Sequence, residues 1–122
     1  MMVGWFEIPV TDMDRAKSFY EAVFDISISV HEFGALKMGW FPNDPEKSGA
    51  TGSLVQHETY KPSMTDGPLL YFSCKDVSTE LSRVAAAHGE IVQPKTQIGE
   101  GHGFMALIKD TEGNRIALHS QV

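Results

Sequence analysis

A chain of 122 residues, 42% of them apolar, is long enough for one domain with a real hydrophobic core. Its formal charge of −6, with ten Lys and Arg residues scattered along the chain, argues against nucleic acid as the partner. No apolar run approaches the ~20 residues a membrane helix needs, and the N-terminus lacks the basic and apolar regions of a secretory signal, so a cytoplasmic protein without membrane association is expected.

Residues 3–10 are rich in β-branched and aromatic side chains and read as a strand. Thr11-Asp12 follows as a helix cap, because a short polar side chain there can accept a backbone N–H. Met13, Ala16, Phe19, Tyr20, Val23 and Phe24 then recur at spacings of three and four, which predicts a helix with one buried stripe. Residues 26–33 alternate like a half-buried strand, Gly34 makes a turn, and residues 35–41 form the antiparallel partner, ended by Pro42. A loop over 43–51 leads into a strand at 52–58, and residues 59–68, with two prolines, form a linker.

The pattern then repeats. An apolar strand begins near Leu69, Asp76 caps a helix with Val77, Leu81, Val84 and Ala85 on one face, and Gly89 ends it. A short strand at 90–93, a glycine-rich loop at 98–103, a strand at 104–109, a hairpin turn at 111–114 and a strand at 115–121 complete the chain. Pairing Asp12 with Asp76 sets an offset of 64, whereas the strands 52–58 and 114–120 look most alike at an offset of 62, which aligns His57 with His119. Each half is thus a strand, a helix and three strands: repeats 1–60 and 68–122 within one domain, 1–122.

The loop Ile98-Gly99-Glu100-Gly101-His102-Gly103 is not a phosphate loop, because a strand-like run rather than a helix follows it. The lone Cys74 cannot form an internal disulfide, and its place in an apolar strand predicts an inert buried thiol rather than a nucleophile. Trp5, Met38, Trp40, Phe104 and Met105 are candidates for an apolar pocket lining, with ordinary core packing as the alternative. Tyr60, in the linker, is expected to be at most a rim residue.

The duplicated unit, with PVTDMDRAKSFYEAVF in the first half and DTEGNRIALH closing the second, resembles the vicinal oxygen chelate superfamily. That group includes glyoxalase I, fosfomycin and bleomycin resistance proteins, and extradiol dioxygenases. The resemblance implies an α+β fold in which two βαβββ repeats form a cup-shaped, mostly antiparallel sheet with helices outside, and it implies a homodimer. It also implies four metal-ligand positions, which fall on Trp5, Val55, Leu69 and Ala117 here; none carries a side chain that binds a divalent cation.

Side chains two apart along a strand share a face, so Glu7, His57, Tyr71 and His119 are expected to look into the same cup. Glu7, partly desolvated beside Trp5 and Phe6, would act as a base with His57, while Trp5, Met38, Trp40, Tyr71, Phe104 and His119 would bind the ligand. The structural alternative is a satisfied core network pairing Glu7 with His57 or His119. The expected activity is binding of a small, partly apolar molecule without a cofactor, with or without acid/base chemistry. Two alternatives stand beside it: a glyoxalase-type lyase or isomerase holding one divalent metal ion on Glu7, His57 and His119, and a drug-binding resistance dimer with no chemistry.

Overall fold

The structure is a computed structural model that describes residues 1–122. The first repeat comprises β1 (Trp5–Val10), α1 (Met13–Phe24), β2 (Ser29–Phe33), β3 (Leu36–Trp40) and β4 (Thr51–Gln56). The second comprises β5 (Tyr71–Ser73), α2 (Val77–Val84), β6 (Glu90–Gly99), β7 (Gly103–Lys109) and β8 (Arg115–Ser120). Each repeat carries its own four-stranded sheet, in the orders β1-β4-β3-β2 and β5-β8-β7-β6. In each sheet one pair is parallel, β1 with β4 and β5 with β8, and the other pairs are antiparallel. The expected α+β architecture is therefore present, but the two sheets are not hydrogen-bonded into one continuous cup.

Both helices start as their caps dictate. Asp12 Oδ1 accepts the Arg15 N–H at 3.1 Å and Asp76 Oδ1 accepts the Ser78 N–H at 2.9 Å. The first free amide of each helix is taken by the neighbouring strand: Met13 N–H donates to Gln56 Oε1 at 2.7 Å, and Val77 N–H donates to Ser120 Oγ at 3.1 Å. The helices lie on one face of the sheets. Ile8, Val10, Met13, Phe19, Tyr20 and Leu54 from the first repeat form a single buried cluster with Val77, Val84, Ile108, Ile116 and Leu118 from the second.

The repeats are fastened by the turn between β7 and β8. Asp110 Oδ2 accepts the Tyr20 hydroxyl at 2.6 Å, and Asn114 Nδ2 donates to the Pro9 carbonyl at 2.7 Å. Glu112 Oε1 accepts the backbone N–H groups of Thr11 (2.8 Å) and Asp12 (2.9 Å), and its Oε2 takes Arg15 Nε at 2.7 Å.

Three elements depart from the sequence reading. The strand expected only over 90–93 runs to Gly99, because β6 is a sheet edge, where Pro94 interrupts nothing that needs its missing N–H; the pairing shifts register between Gln93 and Thr96. The strand expected from residue 26 begins at Ser29, since the Ile28 N–H is drawn to Glu21 Oε2 at 2.8 Å. After α2, His88 rather than Gly89 takes the left-handed conformation, at φ 72°. Gly89 answers a different need, close approach: a Cβ there would lie 2.5 Å from the Phe19 ring and 2.7 Å from the Lys109 carbonyl. Gly89→Ala is expected to cost roughly 1–3 kcal/mol by overpacking, read as a lower urea midpoint. Gly4→Ala, where nothing lies within 4 Å, should change it little.

Candidate functional site

Strand pairing fixes which residues share the face that no helix covers. In the first sheet Glu7 pairs with Ser53, which pairs with Trp40, and Pro9 pairs with Val55, which pairs with Met38 and through it with His31. Trp5 lies on the same face as Glu7, two residues before it. In the second sheet Tyr71 pairs with Ala117 and Ala117 with Leu107, while His119 lies between Ser73 and Met105. The intervening residues Phe6, Ile8, Leu54, Phe72 and Leu118 pack against the core.

The middle of this face is buried, with Ser53, Val55 and Ala117 fully covered, while its aromatic side chains are exposed. Trp5 is 44% exposed, Trp40 36% and Tyr71 55%. The His31 imidazole stacks on the Trp40 indole with ring centres 3.9 Å apart, and Phe33 stacks beyond it at 6.4 Å. Beneath them the Ser53 hydroxyl is fully buried without a hydrogen-bond partner. Trp5 and Glu7 also line an open cavity of about 830 Å³ between β1, the linker and the start of β8, with Lys61, Asp66 and Arg115 as its other charged residues.

Glu7 is exposed, so the desolvation expected from its aromatic neighbours is absent. Its partner is neither His57 nor His119: the Tyr60 hydroxyl donates to Glu7 Oε1 at 2.6 Å. That bond, followed by partial burial, raises the pKa of the phenol above its ordinary value and keeps it a donor. Tyr60 is thus the polar residue that sequence reasoning undervalued. Its signal was weak, since a tyrosine among linker prolines announces no partner.

His57 lies just past the end of β4. Its Nδ1 accepts the Thr59 N–H at 3.2 Å, which leaves the proton of the neutral ring on Nε2, and its ring meets Tyr60 edge-on at 6.3 Å. His119 Nε2 donates to the His102 carbonyl at 2.8 Å, so the glycine-rich turn is tied to β8. No hydrogen bond joins any two of Glu7, His57, Tyr71 and His119; the expected ring of four is spread over two sheets and a turn. Phe104 is not on this face. It falls in phase with Ala106 and Ile108, packs against the core, and has the Lys95 ammonium 4.6 Å above its ring; Met105 is the residue of β7 that looks the other way. Cys74 is half-buried, and burial followed by the nearby Glu80 pushes its thiol up to about 12, which disfavours the thiolate.

The strands also correct the repeat alignment. Glu7 pairs with Ser53 and its equivalent Tyr71 (7 + 64) pairs with Ala117, so Ala117 answers to Ser53 (53 + 64) and His119 to Val55 (55 + 64). The helix starts agree: Gln56 and Ser120 (56 + 64) hold the first amides of α1 and α2. The offset of 62 that matched His57 with His119 is a coincidence of sequence, and, with Ala117 anchored by the closing motif DTEGNRIALH that carries the resemblance, its repeat mate is Ser53 rather than Val55. The four positions then read Trp5, Ser53, Leu69 and Ala117, three apolar side chains and one hydroxyl. No group of three or more His, Cys, Asp or Glu side chains stands together to hold a metal ion, so one chain by itself does not fit such a centre, either at these positions or on Glu7, His57 and His119.

Two βαβββ units with equivalent strand pairings, their helices sharing one core and their sheets each leaving one face clear of helix, define a duplicated α+β domain. Residues 2–118 match the family described as the Glyoxalase/Bleomycin resistance protein/Dioxygenase superfamily, and the chain belongs to it. The fold is that of glyoxalase I from Zea mays (TM-score 0.77, 16% identity), over 98% of this chain and 44% of the maize chain. It spans, then, about half of that enzyme. A glyoxalase/bleomycin resistance protein from Albidiferax ferrireducens T118 is similar over 100% of both chains (TM-score 0.73, 16% identity). TnmS3, an antibiotic binding protein from Streptomyces sp. CB03234, is similar over 98% of this chain and 95% of its own (TM-score 0.68, 21% identity). No curated protein matches the sequence. No helix is long and apolar enough to cross a membrane.

Proposed function

We propose that the protein binds a small, partly apolar molecule on the helix-free face of its sheets, without the metal centre of the family's enzymes. The observation that carries this reading is the Glu7–Tyr60 pair at 2.6 Å, set beside the exposed Trp5 on a cavity of about 830 Å³. A carboxylate fixed by one hydrogen bond, next to aromatic surface, orients a ligand through one polar anchor while the rings supply apolar contact. The second Glu7 oxygen is free to accept a hydrogen bond or a proton from the ligand, which is the extent of the acid/base chemistry the pair supports. His57, held by Thr59, touches Tyr60 rather than Glu7 and serves as its neighbour at the rim.

A second copy of the chain completes the cup in this reading. Trp5, Trp40, Phe33 and Tyr71 are too exposed for a finished surface, and the antibiotic-binding relative, nearly the same length as this chain, makes ligand capture the nearer precedent than catalysis. A thermal-shift panel of small aromatic amines, alcohols and glycosides tests the proposal, since a ligand that binds only the folded state raises Tm. A hit should lose affinity about tenfold or more in Glu7→Gln, because a hydrogen bond to a charged group contributes about 1.5–3 kcal/mol. Tyr60→Phe should lose less. A hit whose affinity is the same in wild type and in Glu7→Gln refutes the assignment.

A further inference from the structure

A second cavity, of about 450 Å³, opens at the junction of the two repeats, on the helix side of the sheets. Its floor is aromatic. Phe6, Phe24, Phe41 and Phe72 form a connected cluster, with ring centres 5.6 Å apart for Phe6–Phe41 and Phe6–Phe72, 5.0 Å for Phe24–Phe72 and 5.9 Å for Phe41–Phe72. Phe41 is buried, but Phe6, Phe24 and Phe72 are only half-buried, although they adjoin the core. Phe6 and Phe72 alternate along their strands with Glu7 and Tyr71, so this cavity and the helix-free face lie on opposite sides of the same strands.

The segment after β3 forms the other wall. Thr51 donates its hydroxyl to the Pro42 carbonyl at 3.1 Å, which ties the two ends of that segment together. Two charged residues line the opening, Asp44 and Lys47. Asp44 Oδ1 already accepts the Glu46 N–H at 3.0 Å, whereas the Lys47 ammonium is in none of the chain's four ion pairs. Ser48 lines the cavity too, and its hydroxyl is engaged by no other protein group.

Half-buried ring faces around a cavity within the ~300–1,000 Å³ of ordinary ligand sites, with the unpaired Lys47 ammonium at its mouth beside Asp44 and the free Ser48 hydroxyl, define a ligand chemistry. We propose that this junction is a second binding site, for a planar aromatic molecule bearing an acidic group: the ring stacks among the four phenylalanines and the anion meets Lys47 at the opening. Phe6 lines both this cavity and the one beside Trp5 and Glu7, so Phe24, Phe72 and Lys47 are the residues that set this site apart.

The test is an NMR titration of the isotope-labelled chain with 2-naphthoate, using 2-naphthylmethylamine as its cationic counterpart. Saturable binding of one naphthoate per chain is expected, with shifts in the Phe24 and Phe72 ring signals and at Lys47, and with the Trp5 and Trp40 indole N–H signals unmoved. Phe24→Leu keeps apolar volume but removes one ring face; it should weaken binding about fivefold, the equivalent of one aromatic pair. Lys47→Glu, at an exposed position that does not threaten folding, should reverse the preference so that the amine binds more tightly than the acid. Shifts confined to the indoles, no saturable binding at millimolar naphthoate, or an unchanged preference in Lys47→Glu would overturn the proposal.

Discussion

Asp110→Ala is expected to destabilise the protein by about 3–5 kcal/mol, because it leaves a buried hydroxyl and several amides without their shared acceptor. Asp110 is 2% exposed and each of its oxygens takes two donors. Oδ1 accepts the N–H groups of Glu112 and Asn114, both at 2.8 Å; Oδ2 accepts the Tyr20 hydroxyl at 2.6 Å and Asn114 Nδ2 at 3.0 Å. Burial, then the Asp110 charge, raises the Tyr20 phenol well above its ordinary range, so it remains the donor throughout the accessible pH range. Asn114 carries the connection onward, to the Pro9 carbonyl and, as an acceptor, from the Ser63 N–H at 3.2 Å. One carboxylate therefore ties the β7–β8 turn to α1, β1 and the linker. Against the ~5–15 kcal/mol that stabilises a typical domain, the loss is a large fraction. Urea unfolding should show it, and adding Tyr20→Phe to Asp110→Ala should recover part of it by removing the orphaned hydroxyl. A loss below ~1 kcal/mol would mean that the turn is not the fastening it looks to be.

The second large effect depends on pH. The Glu112 side chain has no exposed surface, and its pKa is held down to about 2 from an ordinary 4.5. Burial opposes that shift. The hydrogen bond from Arg15 and the backbone N–H groups of Asp12 and Thr11, at the positive end of α1, overcome it. A carboxylate whose folded pKa is depressed gives stability that is fully present above about pH 4.5 and is withdrawn as pH falls through about 2. Because Arg15 is half exposed, solvent screening reduces the contribution to ~2 kcal/mol. Glu112→Gln should lose that amount at neutral pH and lose progressively less against wild type in acid, so the two urea midpoints converge toward pH 2. Parallel midpoints across that range would contradict the assignment.

The fold was legible because local and global signals agree. The apolar spacing of Met13, Ala16, Phe19, Tyr20 and Val23 gives α1, its buried stripe and the residues that later appear in the core. Asp12 and Asp76 mark both helix starts by the same capping chemistry. The length of β6 was not legible, since Pro94 looks like a terminator until the strand is known to be an edge.

Much less of the site was legible. Alternation along β1 correctly put Trp5 and Glu7 on one face and Phe6 on the other. Alternation is only as good as its phase, however. The aromatic character of Phe104 suggests a pocket residue, but its phase along β7 puts it on the face of Ala106 and Ile108. The matching of His57 with His119 failed because two similar strings at an offset of 62 outweighed the register of the strands, which only three-dimensional pairing reveals. The Glu7–Tyr60 bond spans 53 residues and a linker, and no periodicity encodes it.

The two tryptophans of the chain, Trp5 and Trp40, both stand on the helix-free face, so selectively excited tryptophan fluorescence reports on that face. The most direct measurement is acrylamide quenching of this emission, with and without a ligand that raises Tm, repeated on Trp5→Phe and Trp40→Phe to separate the two reporters. Ligand binding at the proposed site predicts reduced quenching, strongest for Trp5 beside Glu7. A ligand that stabilises the fold while both tryptophans stay as open to acrylamide as in the free protein would contradict the account.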